Sequence, residues 1–513
     1  MIIDRIIGTS SSTAKSLRPN ATSILLLGLL GFAWFWFFVT PRVAAGEFYA
    51  YTRLSWLGPY GLFWRPLPLN VFSKVTFGQF GSFGVPYAVV LALVFTFGVF
   101  CVVKVAIASL GQSFEGPRFP IALLAAFVMT NVHLSTSIVI QFTITDYLFM
   151  IAYCIVFYNL ALIIDNRSVN FSRVISICAA VLIACMTKEF AIVAPFVLFL
   201  FVAIRHHDVL HAIRSDKIRF ALFLLLLAII YIIYISILYL TGNYLFRSLS
   251  GGISDPNFRR ADLPQFISNV WSIAIWVFQL PFTSNYPYIF NPTAVIDGVG
   301  HLLMGLFSVV VGIGLLAAVS DPSSRKPALT HLVLGAVWAA IIATNGRVAN
   351  AYMAVPIAHL AISASIGAPA IARLLSPHLR ALAAGVVIGL GLWNLSAGAR
   401  VMHAPSRSAS FHGALSNLDL RWRSQLIAWQ SQLLSVDLTI DMAGPPEIGF
   451  YVRMAGPTVM AEYFDIASFR YSADYMRLTV ALRPRAGGRA LAEISPTVSF
   501  FPAAGIGYGL RIQ

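Results

Sequence analysis

The sequence predicts an all-α protein that crosses a membrane many times and ends in a small α+β domain outside the membrane. Of its 513 residues 58% are hydrophobic and only 11% are charged, about half the charged share of a soluble domain. Apolar runs of about twenty residues, each long enough to cross a ~30 Å hydrocarbon core, recur between residues 21 and 402. From about His403 onward, charged residues, serine and alternating apolar and polar stretches replace these runs.

The boundaries of the parts follow from the same pattern. Residues 1–20 form a polar cytoplasmic tail, residues 21–402 a transmembrane domain, and residues 403–513 a periplasmic α+β domain. The last part is predicted to begin with an amphipathic helix around Leu418–Leu434 and to continue as a handful of strands. The predicted location is the bacterial inner membrane, as a multi-pass protein.

The positive-inside rule orders the apolar runs into eleven spans, with the N-terminus inside and the C-terminus outside. On this count the basic segments Arg205–Arg219 and Arg325-Lys326 both become inner loops. The formal net charge of +15 is therefore read as an orientation signal, and nucleic acid is not a predicted partner. The predicted spans are Ala21–Thr40, Val85–Ala108, Phe119–Val132, Asp146–Ile164, Val174–Thr187, Phe190–Ile204, Phe220–Thr241, Ile296–Ser320, Leu329–Asn345, Ala351–Leu374 and Ala381–Leu395.

The longest interruption between spans runs from Gly242 to Val295. Within it, the stretch Asn269–Phe282 is apolar enough to resemble another span. Counting it as one would place Arg325-Lys326 outside. We therefore predict an interfacial or re-entrant segment within an outer loop.

The first outer loop, Ala44–Pro68, combines one acid, Glu47, with the bases Arg53 and Arg65 and a belt of aromatic residues. Aromatic rings of this kind favour the membrane–water interface. A carboxylate in this loop would lie at the height of a lipid headgroup, where chemistry on a phospholipid-like substrate needs an acid. The alternative is an interfacial loop whose charges are simply solvated. The aromatic residues are Phe48, Tyr49, Tyr51, Trp56, Tyr60, Phe63 and Trp64.

Two further groups of ionisable residues lie at predicted outer ends of spans. Lys188-Glu189 ends the fifth span, and Arg347, followed by Tyr352 and Pro356, opens the tenth. Ionisable groups at membrane depth are costly, so they are functional hypotheses by default. The alternatives are a local charge pair that merely ends a helix and an arginine that anchors a span at the interface.

On these residues the chain resembles the integral-membrane GT-C superfamily of glycosyltransferases, which includes protein O-mannosyltransferases and the aminoarabinose transferases of bacterial lipid A. Such enzymes carry an acid in the first outer loop, the place that Glu47 occupies here. Three elements of the eukaryotic O-mannosyltransferases with tetratricopeptide tails are also similar. These are Arg65-Pro66-Leu67 late in the first loop, Lys188-Glu189 at the end of a middle span, and the basic residue, Tyr and Pro at Arg347, Tyr352 and Pro356.

The sequence also departs from that family. Its first loop holds one acid, where the family often has two. Between spans three and four, relatives carry a His-Pro…His…Glu pattern followed by Arg-x-Asp. Only His133 and Asp146 match it, because Ser135 and Ile144 occupy the Glu and Arg positions. The resemblance covers about residues 20–380, and the C-terminal domain has no counterpart in it.

The resemblance implies sugar transfer from a polyprenyl-phosphate donor. Glu47 is the predicted catalytic base that takes the proton of the acceptor hydroxyl. Cationic side chains would stabilise the departing lipid phosphate. A divalent metal (Mg²⁺, Mn²⁺ or Zn²⁺) fits the sequence if Glu47, His133, Asp146 and Glu189 converge, but none is required. The predicted substrate-binding residues are Arg65, His133, Asp146, Lys188, Glu189, Arg259, Arg260, Arg347 and Tyr352.

The predicted function is thus a membrane glycosyltransferase whose active site faces the periplasm. Its partners are the lipid bilayer, the polyprenyl-phosphate sugar, and a glycan, lipid or protein acceptor of the cell envelope, such as lipopolysaccharide. No glycine-rich phosphate loop supports a nucleotide-sugar donor. The alternatives are a transporter or flippase of lipid-linked sugars and a non-catalytic scaffold. A transporter would be favoured by inverted repeats, and the sequence shows none.

The predicted topology can be tested with single cysteines on a cysteine-free background. A cysteine at Ser431, in the predicted periplasmic domain, should react with a membrane-impermeant maleimide in intact spheroplasts. A cysteine at Ser215, in the basic inner loop, should react only after permeabilisation. The reverse pattern would overturn the orientation and the placement of the outer loops.

Overall fold

The structure is a computed structural model, and the part of it described below comprises most of the chain outside the N-terminal region. The described residues are 25–33, 85–111, 114, 116–139, 144–166, 170–187, 189–205, 217–240, 261–282, 298–345, 348, 350–402, 409–441, 456–471, 477–485, 490–503 and 507–513.

Up to residue 402 the described residues are mostly helical, beginning with a helical stretch at residues 25–33. Among them, two short 3₁₀ segments, Glu189–Ile192 and Asn350–Met353, lie between α-helices. In chain order the α-helices are α1 (Val85–Ser109), α2 (Arg118–Met129), α3 (Val132–Val139), α4 (Ile144–Asn166), α5 (Phe171–Thr187), α6 (Ala194–Ile204), α7 (Lys217–Leu240), α8 (Leu263–Phe278), α9 (Gly298–Ser320), α10 (Pro322–Ala343), α11 (Ala354–Ile366), α12 (Ala368–Leu374) and α13 (Pro377–Met402).

The protein is a multi-pass membrane protein. Within the described residues, six helical segments are long and apolar enough to cross a bilayer, and several shorter apolar helices lie between them. Helix α7 leaves large apolar side chains such as Leu222 and Ile232 exposed, as a lipid-facing helix does. The predicted count of eleven spans stays a prediction. The six segments are Leu91–Ser109, Asp146–Asp165, Gly298–Ser320, Pro322–Ala343, Ala354–Leu374 and Pro377–Gly398.

The end of α2 and the start of α10 differ from the sequence prediction. The third predicted span ends at Met129, and the turn predicted after it contains the helix α3. Helix α10 begins at Pro322 and not near Leu329, so Arg325 and Lys326 lie in its first turns. Proline at the first helical position suits a helix start, and long basic side chains can keep their charge at the interface while their stems pack.

The carboxylate of Asp321 caps the N-terminus of α10. It accepts hydrogen bonds from Ser323 N at 3.0 Å and Ser323 Oγ at 2.8 Å, and Arg373 at the end of α12 lies 3.4 Å away. These bonds, chiefly the one from the Ser323 hydroxyl, hold the pKa of the Asp321 carboxyl below its ordinary value. The cap therefore links the loop between α9 and α10 to α12.

Helix α9 crosses the α11–α12 junction where two glycines let the backbones approach. A Cβ atom on Gly367 would lie 2.6 Å from Ala318 N, and one on Gly314 would lie 3.0 Å from Ala364 O. Small residues serve this purpose at helix crossings in membranes. The crossing is therefore closed to any larger side chain.

Helix α8 corresponds to the predicted re-entrant or interfacial segment, and it packs against the end of α10. Asp262 caps its N-terminus by accepting a hydrogen bond from Gln265 N at 2.9 Å. Asn269 Nδ2 donates to Ala343 O at 2.9 Å and to Asn345 O at 2.8 Å. The residue after the helix is Gln279, its C-cap, whose φ of 52° lies in the left-handed region. Its interfacial placement stays a prediction.

The C-terminal region contains a helix followed by a mixed sheet. Strand order is β2-β3-β1-β5-β6, with β4 pairing with β1. Strand β1 is antiparallel to β3 and parallel to β5. That this region forms a separate periplasmic domain stays a prediction. Its elements are α14 (Ala409–Ser431), β1 (Leu434–Asp441), α15 (Gly456–Ala461), β2 (Phe464–Tyr471), β3 (Arg477–Pro484), β4 (Ala492–Ile494), β5 (Thr497–Ala503) and β6 (Gly507–Ile512).

Apolar residues at regular spacing form the core between α14 and the sheet. On α14, Leu418, Trp422, Leu426 and Trp429 recur at helical spacing and are buried. On the strands, one face is buried and the other is half-exposed or exposed. Arg423 on the same helix forms a salt bridge with Glu462 after α15.

The glycine crossing yields a stability prediction. Gly367→Ala should lower the free energy of unfolding by about 1–3 kcal/mol, the usual cost of overpacking, because the new methyl group meets the backbone of α9. Gly312→Ala is the matched control, since no atom lies within 4 Å of its added Cβ. The melting temperature in detergent should fall for the first variant alone, and equal values would contradict the close crossing.

Candidate functional site

The junction between α2 and α3 is held by one asparagine that caps two helices. Asn131 Oδ1 accepts hydrogen bonds from His133 N at 2.9 Å and Leu134 N at 3.3 Å, at the N-terminus of α3. Asn131 Nδ2 donates to Trp276 O at 2.9 Å and Val277 O at 3.2 Å, at the C-terminus of α8. Helix ends leave such peptide groups without partners inside the helix. A single buried side chain therefore joins the start of one helix to the end of another.

A second amide side chain completes the junction. Gln279 Oε1 accepts a hydrogen bond from Val132 N at 2.8 Å, and its Nε2 donates to Asn394 Oδ1 on α13 at 2.9 Å. Asn394 Nδ2 in turn lies 3.4 Å from Thr130 Oγ1. Ser308 on α9 donates to Phe278 O at 2.6 Å. Asn131, Gln279 and their partners thus fix α3 and α8 against α9 and α13, and we call this cluster the helix-end junction.

The helix-end junction sets the position of His133. This residue lies in the first turn of α3, is fully buried, and has its ring 6.4 Å from the ring of Trp276 on α8. Helix α3 also packs against the 3₁₀ segment Asn350–Met353, which carries Tyr352. Two of the predicted substrate-binding residues, His133 and Tyr352, therefore lie on adjoining elements.

Helix α4 brings a third predicted residue to the same end of the bundle. Asp146 lies in its first turn and is 4% exposed. The next residue, Tyr147, donates its hydroxyl hydrogen bond to Leu134 O in α3 at 3.1 Å. An ionisable group buried at membrane depth is a functional hypothesis by default, which makes Asp146 a candidate for function.

Helices α4 and α5 form an antiparallel hairpin. Asn159 Nδ2 donates to Ser176 Oγ at 3.1 Å, and Arg173 donates to Leu162 O at 2.8 Å. These two contacts step in opposite directions along the two helices, so Thr187 at the end of α5 is level with the first turn of α4. The backbone of Glu189 follows in the 3₁₀ segment Glu189–Ile192.

Only some of the predicted site residues lie within the described residues. His133, Asp146 and Tyr352 are described with their side chains, and the helix packing brings them to one end of the bundle. Glu189 is described as backbone only. The predicted residues Glu47, Arg65, Lys188, Arg259, Arg260 and Arg347 lie outside the described residues.

The described part of the chain holds no group of three His, Cys, Asp or Glu side chains close enough to bind a metal ion. The predicted convergence on Glu47 involves a residue outside that part, so a metal stays a prediction. What the described residues bring to this end of the bundle is a buried imidazole, a buried carboxyl group and a phenol, on His133, Asp146 and Tyr352.

The sequence analysis missed Asn131, Gln279 and Asn394. Each is a polar residue within or beside an apolar run, and that is the signal that could have identified them, since buried polar groups in membranes need partners. Their pairing could not have been predicted, because the partners lie 115 and 147 positions apart along the chain.

Comparisons with known proteins give structural neighbours but no sequence relatives. A scan against protein-family models finds no match, and a search of curated proteins finds none either. The chain is similar to the crystal structure of ArnT from Cupriavidus metallidurans in the apo state, with 14% identity and a TM-score of 0.47 over 85% of this chain and 73% of that one. It is similar to ArnT of the same organism bound to undecaprenyl phosphate, with 13% identity and a TM-score of 0.47 over 90% and 98%. At these identities the chemistry of the chain has to be inferred from its own residues.

The helix-end junction predicts a strong effect of Asn131→Ala. This change should cost at least about 2 kcal/mol of unfolding free energy, because buried peptide groups left without a partner cost about 1–3 kcal/mol each. Asn170→Ala is the control: Asn170 is an exposed residue that accepts one hydrogen bond from Ser172 N at the start of α5, and loss of such a cap costs about 1 kcal/mol. Melting in detergent should separate the two variants, and equal shifts would contradict the double cap.

Proposed function

We propose that the chain is a membrane glycosyltransferase that moves a sugar from a polyprenyl-phosphate donor to a hydroxyl group on the outer face of the bacterial inner membrane. The observation that carries the proposal is the meeting of three sequence motifs at one end of the helical bundle. His133, Asp146 and Tyr352 lie on adjoining elements there, and the 3₁₀ segment that begins with Glu189 ends the helix beside them. These positions are separated by up to about 220 residues in the sequence, so only the fold unites them.

The architecture suits a substrate that is half lipid and half polar. The polyprenyl tail would lie among exposed apolar faces such as that of α7, and the phosphate would lie at the ends of the helices. Cationic side chains are required there, because the departing lipid phosphate carries negative charge. We assign this role to Arg347, between α10 and the segment Asn350–Met353, with Lys188, Arg259, Arg260 and Arg65 as further phosphate or sugar contacts.

The transfer step also needs a base for the acceptor hydroxyl, and we assign it to Glu47. It is the only acid between Asp4 and Glu115, so no other residue of the first outer loop could replace it. The base accepts the hydroxyl proton as the acceptor oxygen forms its bond to the sugar and the bond from the sugar to the lipid phosphate breaks. The lipid phosphate leaves as an anion that the cations bind. The acceptor belongs to the class of envelope glycans, lipids or proteins with a free hydroxyl, and the proposal assigns no metal to the step.

A transferase differs from a flippase in a measurable way, because only the transferase forms a new glycosidic bond. The purified protein in lipid nanodiscs should release free polyprenyl phosphate from a radiolabelled polyprenyl-phosphate sugar when an envelope acceptor fraction is present. Envelope glycans compared by mass spectrometry with and without the gene would identify the acceptor. Movement of the donor across vesicles with no labelled product would favour the flippase instead.

The role of Glu47 predicts a large loss of activity on its removal. Glu47→Gln should lower the rate of transfer by about 10²–10⁴-fold with the fold intact, which is the usual contribution of a general base. Glu47→Asp should retain a small fraction of the activity. Asp465→Asn, on an exposed position of β2, is the control and should have the normal rate. Transfer by Glu47→Gln at more than about a tenth of the normal rate would exclude this role.

The role of Arg347 predicts a specific effect on donor affinity. Arg347→Ala should raise the donor KM by about tenfold or more, since charge-assisted hydrogen bonds to phosphate are among the strong ones, while the melting temperature stays near normal. Arg421→Ala, at an exposed position of α14, is the control. An unchanged donor KM would show that Arg347 only anchors its span.

A further inference from the structure

Five side chains from four helices form a continuous hydrogen-bonded chain through the middle of the bundle. Ser109 Oγ on α1 lies 3.0 Å from Nε2 of His331 on α10, and His331 Nδ1 lies 3.0 Å from Nδ1 of His359 on α11. His359 Nε2 lies 3.2 Å from the hydroxyl oxygen of Tyr153 on α4, and Trp338 Nε1 on α10 lies 2.8 Å from the same oxygen. All except Ser109 are at most 4% exposed. We call these residues the histidine chain.

Trp338 and Tyr153, at one end of the histidine chain, fix the direction of the hydrogen bonds along it. The indole N–H of Trp338 can only donate, so the oxygen of Tyr153 accepts from it. The proton of Tyr153 then has His359 Nε2 as its acceptor. His359 therefore carries its own proton on Nδ1.

The other end of the histidine chain, at Ser109, agrees with this direction. His359 Nδ1–H donates to Nδ1 of His331, which leaves the proton of His331 on Nε2, where it faces Ser109 Oγ. The hydroxyl of Ser109 donates to Val105 O at 2.8 Å. Every donor thus has one acceptor, with both imidazoles neutral. In the opposite direction, His359 Nε2 would donate to the Tyr153 oxygen, which already accepts from Trp338 Nε1. The proton of Tyr153 would then have no acceptor in the histidine chain.

The histidine chain does not relay protons from end to end, because it begins at a donor-only indole and ends at a helix carbonyl. Its surroundings also disfavour an added charge. The aromatic ring of Phe157 lies against both imidazoles, with ring centroids 6.1 Å from His331 and 5.5 Å from His359. A fully satisfied polar chain of this kind specifies how its helices align.

The aligned helices are those that flank the proposed phosphate site. Helices α10 and α11 lie on either side of residues 344–353, which include Arg347 and Tyr352, and α4 begins beside Asp146. We propose that Tyr153, His331 and His359 are positioning residues, which set the heights of α10 and α11 relative to α4 and so place the segment Asn350–Met353, with Tyr352, at the proposed phosphate site. This inference rests on the proposed function and adds residues to it that do not touch the substrate.

The assignment of protons is the first test. Solid-state NMR of the ¹⁵N-histidine-labelled protein in lipid should show His359 protonated on Nδ1 and His331 protonated on Nε2, with variants at each position giving the assignment. The Nδ1–H tautomer is the informative one, because it follows only from the direction derived above. An imidazolium, or the reverse pair of tautomers, would overturn the chain.

The second test measures binding of undecaprenyl phosphate, so it does not depend on transfer. Tyr153→Phe removes one hydroxyl group and leaves the ring, and it should weaken binding about three- to tenfold, as expected for loss of hydrogen bonds worth about a kcal/mol. Tyr158→Phe, which removes a hydroxyl from the same helix outside the histidine chain, should bind normally. Ser109→Ala opens the other end of the histidine chain and serves as a second variant if Tyr153→Phe does not fold.

The outcomes separate this inference from the proposed function. Normal binding by the wild type and by both chain variants would overturn the positioning role and leave the transferase proposal standing. No binding by the wild type would overturn both. Weaker binding by the chain variants, with normal binding by Tyr158→Phe and the tautomers assigned above, would establish the positioning role.

Discussion

The arrangement of the described bundle depends on the capping of two buried helix ends by Asn131 and Gln279. In a hydrocarbon environment no water is present to bind free peptide groups, so a helix can end inside a membrane protein only where other protein groups take its place. Helix α2 ends after twelve residues, which gives it a length of only ~18 Å. Its end is bonded locally, since Thr130 Oγ1 donates to Phe127 O at 2.6 Å and Ser135 Oγ donates to Thr130 O at 3.0 Å. The side chain of Asn131 then joins the start of α3 to the end of α8.

The early end of α2 has consequences for this end of the bundle. It leaves room for α3, whose first turn carries His133, and it lets the C-terminal end of α8 reach the interior of the bundle. The left-handed conformation at Gln279 directs its side chain to both Val132 and Asn394. Irregular backbone at membrane depth is tolerated where protein surrounds it or where it lines a cavity. The polar end of the bundle is thus a product of the helix-end junction.

The sequence was informative about individual helices and much less so about how they meet. Apolar runs predicted α1, α4 and α9 closely, because the length of a span is set by the thickness of the bilayer. The charge argument that separates α8 from the spans stays a prediction. The end of α2 was predicted three residues late, at Val132, although the polar pair Thr130-Asn131 already follows Met129, where the helix ends. Of the site, the sequence proposed His133, Asp146 and Tyr352. It did not identify the polar pairs that join distant helices there, such as Val132 with Gln279 and Gln279 with Asn394, which are 147 and 115 positions apart.

Polar pairs of this kind matter because apolar contacts define helix alignment poorly in a membrane. Lipid tails are as apolar as leucine, so a helix that slides along its neighbour loses little by exchanging one apolar contact for another. A hydrogen bond between buried groups tolerates no such sliding, since each misplaced group would be left without a partner. The helix-end junction fixes α3 and α8, and the histidine chain fixes α1, α4, α10 and α11. Two small sets of polar residues therefore determine the heights of the helices whose ends carry the proposed site.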